Sequence, residues 1–337
     1  MPAITVTAPT AEEEELIRRF TVNKNYLQAL NAFLAFTYGR REKMYEGLRK
    51  AVDTHPPYIR IARGTPDLEE VRRYLLLSWT SEIQLHLPEQ MGFDAIIGYA
   101  NAWAPVHAYY SVFGGLQAWF AANRLSGNAD SHAATLASIA NMIKLRNLFP
   151  EPWNLLAEGC PMRGEKKHLN VPTGVDCTSH VEVLSIPTPF GKDPTFWLRY
   201  GTWLRTTREA RLTAREEEWK KAKRKSRVSP AERTRIASRL SPTSLFDCLW
   251  RLRIKSNYGT IDPYLVKHIT QSDHMVFNSA LCTVTRATLG LLELYVMRRV
   301  GRGSYEKIAG DFVRQDGAGL SERTLQARAA RFGLTLP

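Results

Sequence analysis

The chain has 337 residues, of which 44% are hydrophobic and 23% are charged. This composition supplies enough apolar surface for one large domain or two modest ones, and it excludes wholesale disorder. No apolar run approaches the roughly 18 residues of a membrane span, the start is acidic, and four cysteines are too few for a disulfide framework, so we expect a cytoplasmic protein with no membrane partner.

The formal net charge of +13 is concentrated in two segments. Residues 199–239 hold 14 Lys or Arg against 5 Asp or Glu, and residues 298–337 hold 8 against 4. The two surpluses, nine and four, account for the whole net charge. Such a concentration indicates an anionic partner, with nucleic acid ahead of an acidic protein or a membrane surface, and a solvated charged helix as the alternative.

Apolar side chains recur at helical intervals through the first half of the chain. After a disordered start at residues 1–12, the spacing predicts four helices: Glu13 to Lys50, Pro66 to His86 with Pro88 as its end, Phe93 to Asn123, and one from Ser131 through Ile143. Gly114 and Gly115 in the third helix should allow a neighbouring helix to approach closely.

The periodicity disappears between Phe149 and Phe196, where prolines are frequent and only a short strand at Val181 to Ile186 is expected. Helix resumes through the basic segment, and two further helices are predicted, Ser244 to Asn257 and Asp273 to Arg299. Because no series of strands alternates with the helices, we predict an all-α fold.

Three sequence pieces resemble the HEPN superfamily. They are Ala108-Tyr109-Tyr110-Ser111-Val112-Phe113, the pair Ser131-His132 at a helix start, and the helix end from Leu249 to Tyr258 with Arg253 inside it. Together they cover residues 66–148 and 243–300. The resemblance implies a helical bundle and a prokaryotic defence or toxin-antitoxin-like setting.

On this interpretation the chain has six segments. They are an N-terminal helical extension (1–62), the first half of a HEPN-like bundle (63–148), an irregular insertion (149–198), a basic helical segment (199–240), the second half of the bundle (241–300) and a helix-turn-helix-like tail (301–337).

Many HEPN proteins are metal-independent ribonucleases that use an Arg followed, after four to six residues, by a His. At the matching place this chain has Arg253 and then Tyr258. A phenol with an ordinary pKa near 10 is a poor general base at neutral pH, so we expect no cleavage by the isolated protein. His268 or His274 could approach from the following segment and restore the site, or Arg253 and Tyr258 could simply hold a helix end.

The irregular insertion holds a candidate structural zinc site. Two thiols and two imidazoles complete a tetrahedral zinc site, although the spacing is not that of a standard finger and chance is the alternative. The four residues are Cys160, His168, Cys177 and His180. No other cofactor is expected, and Cys248 and Cys282 are expected in the core.

The tail resembles the second and third helices of a helix-turn-helix, with Ser321 as the N-cap of a recognition helix. Leu325, Ala329 and Phe332 should face inward, Arg323 and Gln326 should face the major groove, and Arg328 and Arg331 should reach phosphates. A helical hairpin docked on the bundle or on a partner is the alternative.

The sequence therefore favours a nucleic-acid-binding HEPN-like protein without its own catalysis. An active HEPN endoribonuclease and a non-catalytic subunit of a nucleoprotein complex are the alternatives, and a homodimer or a larger complex is left open. Besides the tail residues, the candidate binding residues are those of the basic segment: Arg205, Arg208, Arg211, Arg215, Lys220, Lys221, Lys223, Arg224, Lys225 and Arg227.

Overall fold

The computed structural model describes residues 8–40, 43–55, 64–92, 96–125, 131–161, 194–258, 264, 266–316 and 319–336, except the side chains of residues 194, 195, 197, 198, 257 and 258. Over this part of the chain the fold is all-α, as predicted, and contains no strand. The helices are α1 (Ala11–Thr37), α2 (Lys43–Thr54), α3 (Leu68–Gln90), α4 (Ile97–Asn123), α5 (His132–Arg146), α6 (Pro194–Lys223), α7 (Pro230–Arg239), α8 (Leu245–Tyr258), α9 (Gln271–Val300), α10 (Arg302–Gln315), a π-helical turn (Glu322–Gln326) and α11 (Ala327–Arg331).

The first helix differs from its prediction at both ends. Thr10 and Glu13 form a capping box, in which the Glu13 amide donates to Thr10 Oγ1 (3.2 Å) and the Thr10 amide donates to Glu13 Oε2 (2.8 Å), so helix begins at Ala11. The single helix predicted through Lys50 is wrong, because it is broken after Thr37. Gly39 has a φ of +98°, a conformation that other residues avoid and that turns the chain into α2.

The prolines also act differently from expectation. Pro88 does not end α3 but lies in its last turn, where it removes the one hydrogen bond that an amide at this position would donate to the Gln84 carbonyl oxygen. Pro105 is buried within α4. The Pro-rich residues 162–193, including the strand expected at Val181 to Ile186, lie outside the described part of the chain.

Helices α3, α4 and α9 form the centre of the bundle, with α4 buried on nearly all sides. The close approach predicted at the glycine pair is confirmed, since a Cβ on Gly114 would lie 2.9 Å from the Ser78 nitrogen and from the Tyr74 carbonyl oxygen of α3. Among the described helices, only α9 is long and apolar enough to span a membrane, and most of it is buried inside this bundle.

The segment after α5 is held against the rest of the bundle by backbone and side-chain hydrogen bonds. Ala157 and Thr243 exchange two backbone hydrogen bonds of 2.9 Å, which join this segment to the start of α8. The indole of Trp153 donates to Thr288 Oγ1 of α9 at 3.0 Å. This segment is therefore part of the core, although the sequence marked it as irregular.

Arg328 of α11 is fully buried between two glutamates of the central helices. Its guanidinium donates to both carboxylate oxygens of Glu82 in α3 (2.7 and 2.9 Å) and to both of Glu293 in α9. The indole of Trp79 also donates to Glu293. Burial alone would lower the pKa of the Arg328 guanidinium, but the two carboxylates raise it well above its usual value, so Arg328 stays charged.

Arg328→Met should lower the free energy of unfolding by about 3–5 kcal/mol, because it leaves two carboxylates buried without their cation. Arg323→Met is the matched control, since Arg323 lies on the same short helical segment and is exposed. The control should change stability by less than about 0.5 kcal/mol. Chemical denaturation of the two variants measures the difference, and equal stabilities would contradict the structural importance of this cluster.

Gly114→Ala should cost about 1–3 kcal/mol of unfolding free energy, because the added methyl group meets the backbone of α3, which cannot rotate away as a side chain can. Gly303→Ala in α10 is the control: its Cβ meets nothing within 4 Å, and alanine favours helix over glycine. The midpoint temperature of thermal denaturation should therefore fall for Gly114→Ala and rise for Gly303→Ala. A Gly114→Ala protein as stable as wild type would mean that α3 can shift.

Candidate functional site

Side chains from the three sequence pieces that carry the resemblance meet at one place in the bundle. Tyr109, Tyr110 and Phe113 lie on α4, His132 opens α5, and Arg253 comes from α8. The Arg253 guanidinium lies over the Tyr110 and Tyr109 rings at 5.3 and 5.9 Å from their centroids and donates to the Tyr110 hydroxyl at 2.8 Å. We call these five residues the Tyr–His–Arg cluster.

His132 is the histidine of this cluster. Its ring lies 4.4 Å from the Phe113 ring and 6.0 Å from the Tyr110 ring, measured between centroids. Its Nδ1 is 2.8 Å from the Tyr109 hydroxyl. Ser131, the N-cap of α5, accepts from the Ala134 amide and so fixes the backbone that carries His132.

The electrostatics of the cluster favour a neutral imidazole and a neutral phenol. Burial, and then the charge of Arg253, lower the pKa of His132, so the ring is mostly unprotonated at neutral pH. Burial raises the pKa of Tyr109, which keeps its hydroxyl protonated. When His132 Nδ1–H donates to Tyr109, the lone pair of Nε2 is left to accept a proton from a bound molecule.

The other histidines considered from the sequence lie elsewhere. His274 packs edge-on against Phe20 and bonds to Asn101, so it serves the α1–α4–α9 contact. His268 makes no described contact with Arg253. The backbone of Tyr258 ends α8, and its side chain lies outside the described residues. In the sequence, His132 was noted only as part of the Ser131-His132 pair that carries the resemblance. The sequence did not predict that its ring lies in the same cluster as Arg253.

Two arginines of the basic segment are structural. Arg208 is buried, and its guanidinium donates to the carbonyl oxygens of Gly159 (2.9 Å), Ser241 (2.7 Å) and Ala237 (2.9 Å). Arg211 forms an ion pair with the buried Asp247 at 3.1 Å. The prediction that these two side chains face a nucleic acid is therefore wrong, because both are used inside the fold.

The remaining cations of the segment have different surroundings. Arg205 lines a cavity between α1, α6 and α8. Arg215 and Lys220 are paired with Glu218 and Glu217 on the same helix. The others are exposed around the end of α6 and the turn that follows it: Lys221, Lys223, Arg224, Lys225 and Arg227.

Beyond Glu216, α6 continues as one arm of a helical hairpin whose second arm is α7. Arg224 ends α6 in a left-handed conformation (φ +51°), and Ser229 opens α7 with a capping box. Residues 217–239 hold nine Lys or Arg against three Glu. In α7 only Ala237 is buried, so this basic hairpin (residues 217–239) presents most of its surface to solvent.

The tail departs from a helix-turn-helix reader. Leu325, Ala329 and Phe332 are buried as predicted, but Arg328 is also buried and cannot reach a phosphate. Ser321 does not cap a helix with its side chain; its Oγ accepts from Gln326 Nε2 at 2.9 Å. Of the four residues expected to meet nucleic acid, only Arg323 is exposed, while Arg331 lies 3.7 Å from Glu46.

Of the four candidate zinc ligands, the structure describes Cys160. Cys160 is half-buried with a free thiol, and His168, Cys177 and His180 lie outside the described residues. In the part of the chain that is described, one group has metal-ligating atoms within 4.8 Å of one another: His86, Glu89 and Cys282. His86 and Cys282 are buried, and His86 Nδ1 lies 3.6 Å from Glu89, so an ion pair accounts for two of the three residues. Cys248 and Cys282 are core residues, as predicted.

No protein family, curated protein or solved structure matches this chain.

Proposed function

We propose that this chain binds nucleic acid without sequence preference and that the basic hairpin is the main contact. The observation that carries the proposal is the group of five exposed cations at the hairpin turn, within seven consecutive residues. Such a group suits the closely spaced phosphates of a nucleic-acid strand, whose neutralisation releases bound counterions.

The surroundings of the hairpin turn favour nucleic acid over a membrane. Insertion into a membrane surface needs exposed apolar side chains beside the cations. The larger apolar residues of the hairpin, Trp219, Val228 and Ile236, are half-buried, and Trp219 lies under the Lys225 ammonium at 5.5 Å. The surface offered is charge with little apolar area, which suits a phosphate backbone.

The tail supports backbone binding more than sequence readout. Base-specific contacts need side chains that are free to present hydrogen-bonding groups in a groove. The Arg328 guanidinium is bonded to Glu82 inside the core, and the Gln326 side-chain amide donates to Ser321 Oγ. Arg323 alone does not make a recognition helix, so contacts to bases from this region contribute little.

The biological setting is proposed from the resemblance to HEPN proteins. The meeting of Tyr109, His132 and Arg253 supports it, because three pieces far apart in the sequence form one cluster. On this basis the chain belongs to a prokaryotic defence or toxin-type system, in which it acts alone, as a homodimer, or as a subunit of a nucleoprotein complex.

A metal-independent ribonuclease is the second candidate function, and the position of His132 favours it. The imidazole would take the proton of a ribose 2′-hydroxyl, whose oxygen attacks the adjacent phosphorus and displaces the 5′-oxygen. That oxygen leaves with a proton from water, and the imidazolium then returns its own proton to solvent. Arg253 would stabilise the charge on the phosphate oxygens. Arg253 is largely buried and donates to Tyr110, so its alternative role is structural, as a contact that joins α4 to α8.

The hairpin predicts a steep salt dependence of RNA and DNA binding. Replacing the five exposed cations of the turn by glutamine should reduce the slope of log affinity against log salt by roughly 3.5–4.5, because each neutralised phosphate contributes about 0.7–0.9. Fluorescence anisotropy with a labelled single-stranded RNA and a DNA duplex measures the slope. The variant combines Lys221→Gln, Lys223→Gln, Arg224→Gln, Lys225→Gln and Arg227→Gln.

A control variant removes the same charge from other exposed positions. It should keep most of the slope of log affinity against log salt, because its cations are distributed over α2, α5 and α10. An equal loss in both variants would show that net charge alone drives binding and would contradict a dedicated hairpin. The control combines Lys43→Gln, Arg49→Gln, Lys50→Gln, Arg146→Gln and Lys307→Gln.

If the second function is right, RNA cleavage in the presence of a chelator should fall by about 10²- to 10⁴-fold in His132→Asn, because general acid–base catalysis contributes that much. Arg253→Gln should lose activity similarly, while Tyr110→Phe removes only a hydrogen-bond acceptor of Arg253 and should keep most of it. Gel analysis of a labelled RNA measures the rates.

The comparison also identifies the other outcomes. Absence of cleavage by the wild type would leave nucleic-acid binding as the function of the chain. Equal cleavage by all variants would identify a contaminating nuclease. Thermal denaturation of each variant shows whether a lost activity reflects a lost fold.

A further inference from the structure

A cavity of about 590 Å³ lies between α1, α6 and α8, and its lining shares no residue with the Tyr–His–Arg cluster or with the turn of the basic hairpin. We propose that it is a binding site for a ligand that carries two or more phosphate-type negative charges, in the size range of a nucleotide. This inference does not depend on the proposed function.

The lining of the cavity is strongly positive. Five cations contribute to it, two from α1, one from α6 and two from α8, against the single carboxylate of Glu15. Glu15 is already shared, since Arg18 and Arg19 both donate to it at 2.7 to 2.8 Å. The three cations from α6 and α8 form no ion pair with any residue that the structure describes: Arg205, Arg251 and Lys255.

The unbalanced charge already affects the groups that carry it. Burial, followed by the charges of Arg251, Arg19 and Arg18, lowers the pKa of Lys255 to about 8. Burial also lowers the pKa of Arg251, whose guanidinium donates, within the described part of the chain, to two neutral groups, the hydroxyls of Thr206 (3.1 Å) and Thr207 (3.3 Å). Like charges held together in a partly desolvated space are costly unless an anion joins them.

A buried amide marks a second feature of the site. Asn25 lines the cavity, is only 5% exposed, and its Oδ1 accepts no hydrogen bond from any residue that the structure describes. A buried acceptor without a partner costs free energy, so it points to a donor that the ligand supplies. A hydroxyl or N–H group next to phosphates matches this pattern, as in a sugar phosphate or a nucleotide.

The dimensions agree with such a ligand. Small-molecule sites commonly enclose about 300–1,000 Å³, and the cavity lies within that range. Arg205 and Lys220 lie on the same helix and are separated by 15 residues, or roughly 22 Å at 1.5 Å per residue. The cavity and the hairpin turn are thus separate anion sites, and their ligands are distinguishable by mutation.

Calorimetric titration with ATP and with inorganic tripolyphosphate at low salt tests the proposal. Arg205→Gln and Lys255→Gln should each weaken binding roughly 10- to 100-fold, because each removes a charge-assisted hydrogen bond. Asn25→Asp, nearly identical in shape, should weaken it further by adding a negative charge. Lys221→Gln on the hairpin is the control of equal charge change and should bind like wild type.

The acidity of Lys255 gives an independent readout. Its ammonium is present below about pH 8 and is lost above it, so anion affinity should fall as the pH rises from 7.5 to 9.5. In that range binding should also take up protons, which appears as an enthalpy that depends on the buffer. Lys255→Gln should abolish both effects. If Lys255 only supports the fold, the pH dependence of affinity and the buffer-dependent enthalpy should persist in the variant.

The source of the phosphate is decided by a second pair of probes, a short oligonucleotide with a 5′-phosphate and the same strand with a 5′-hydroxyl. A free ligand predicts tight binding of ATP and no preference between the strands. A 5′-phosphate preference that Lys255→Gln removes would still support a phosphate site, with a strand end as its source. Affinities that are equal in wild type, the pocket variants and Lys221→Gln, or no binding of any probe, would overturn the proposal even if the hairpin binds nucleic acid.

Discussion

The buried contact of Arg328 with Glu82 and Glu293 is the interaction on which the rest of the structure depends. One guanidinium satisfies two carboxylates from α3 and α9, the helices on either side of α4, and it comes from the tail. Removing Arg328 leaves two carboxylates uncompensated in the interior, whereas removing either glutamate leaves a one-to-one ion pair. The tail is therefore a structural part of the bundle, which also explains why it offers so little of a recognition helix to a groove.

Helix α4, held between these two helices, carries the Tyr–His–Arg cluster. The close contact at Gly114 places α3 against α4, and the following aromatic residues of α4 meet α5 and α8 on the other side. Three of the five cluster residues thus lie on a helix that is buried on nearly all sides, whereas the basic hairpin extends on α6. A single chain in this way combines a fixed site of defined geometry with an exposed arm suited to adaptable, charge-driven binding.

The sequence predicted the helices well where apolar spacing and caps agree, as in α4, α5 and α9. It predicted less well where one residue decides, since Gly39 breaks a helix whose apolar pattern runs on. The roles of the arginines could not be predicted, because charge counts do not reveal partners. Arg208 meets a carbonyl 49 residues away, and Arg328 meets a glutamate 246 residues away. One feature of the sequence does indicate a buried ion pair. Glu82 falls on the same helical face as Leu75 and Trp79, where a buried carboxylate needs a cation beside it.

The distance along the chain between Glu82 and Arg328 has a consequence for biosynthesis. At about 5–20 residues per second, a ribosome adds Arg328 roughly 12–50 seconds after Glu82. For most of that time only Glu82 has been made. Glu293 precedes Arg328 by 35 residues, or about 2–7 seconds, and during this shorter interval α3 and α9 bring two acidic groups together without their cation. The nascent bundle must therefore stay open or hydrated at this point. Water can leave its interior once Arg328 has been synthesised and has paired with the two glutamates.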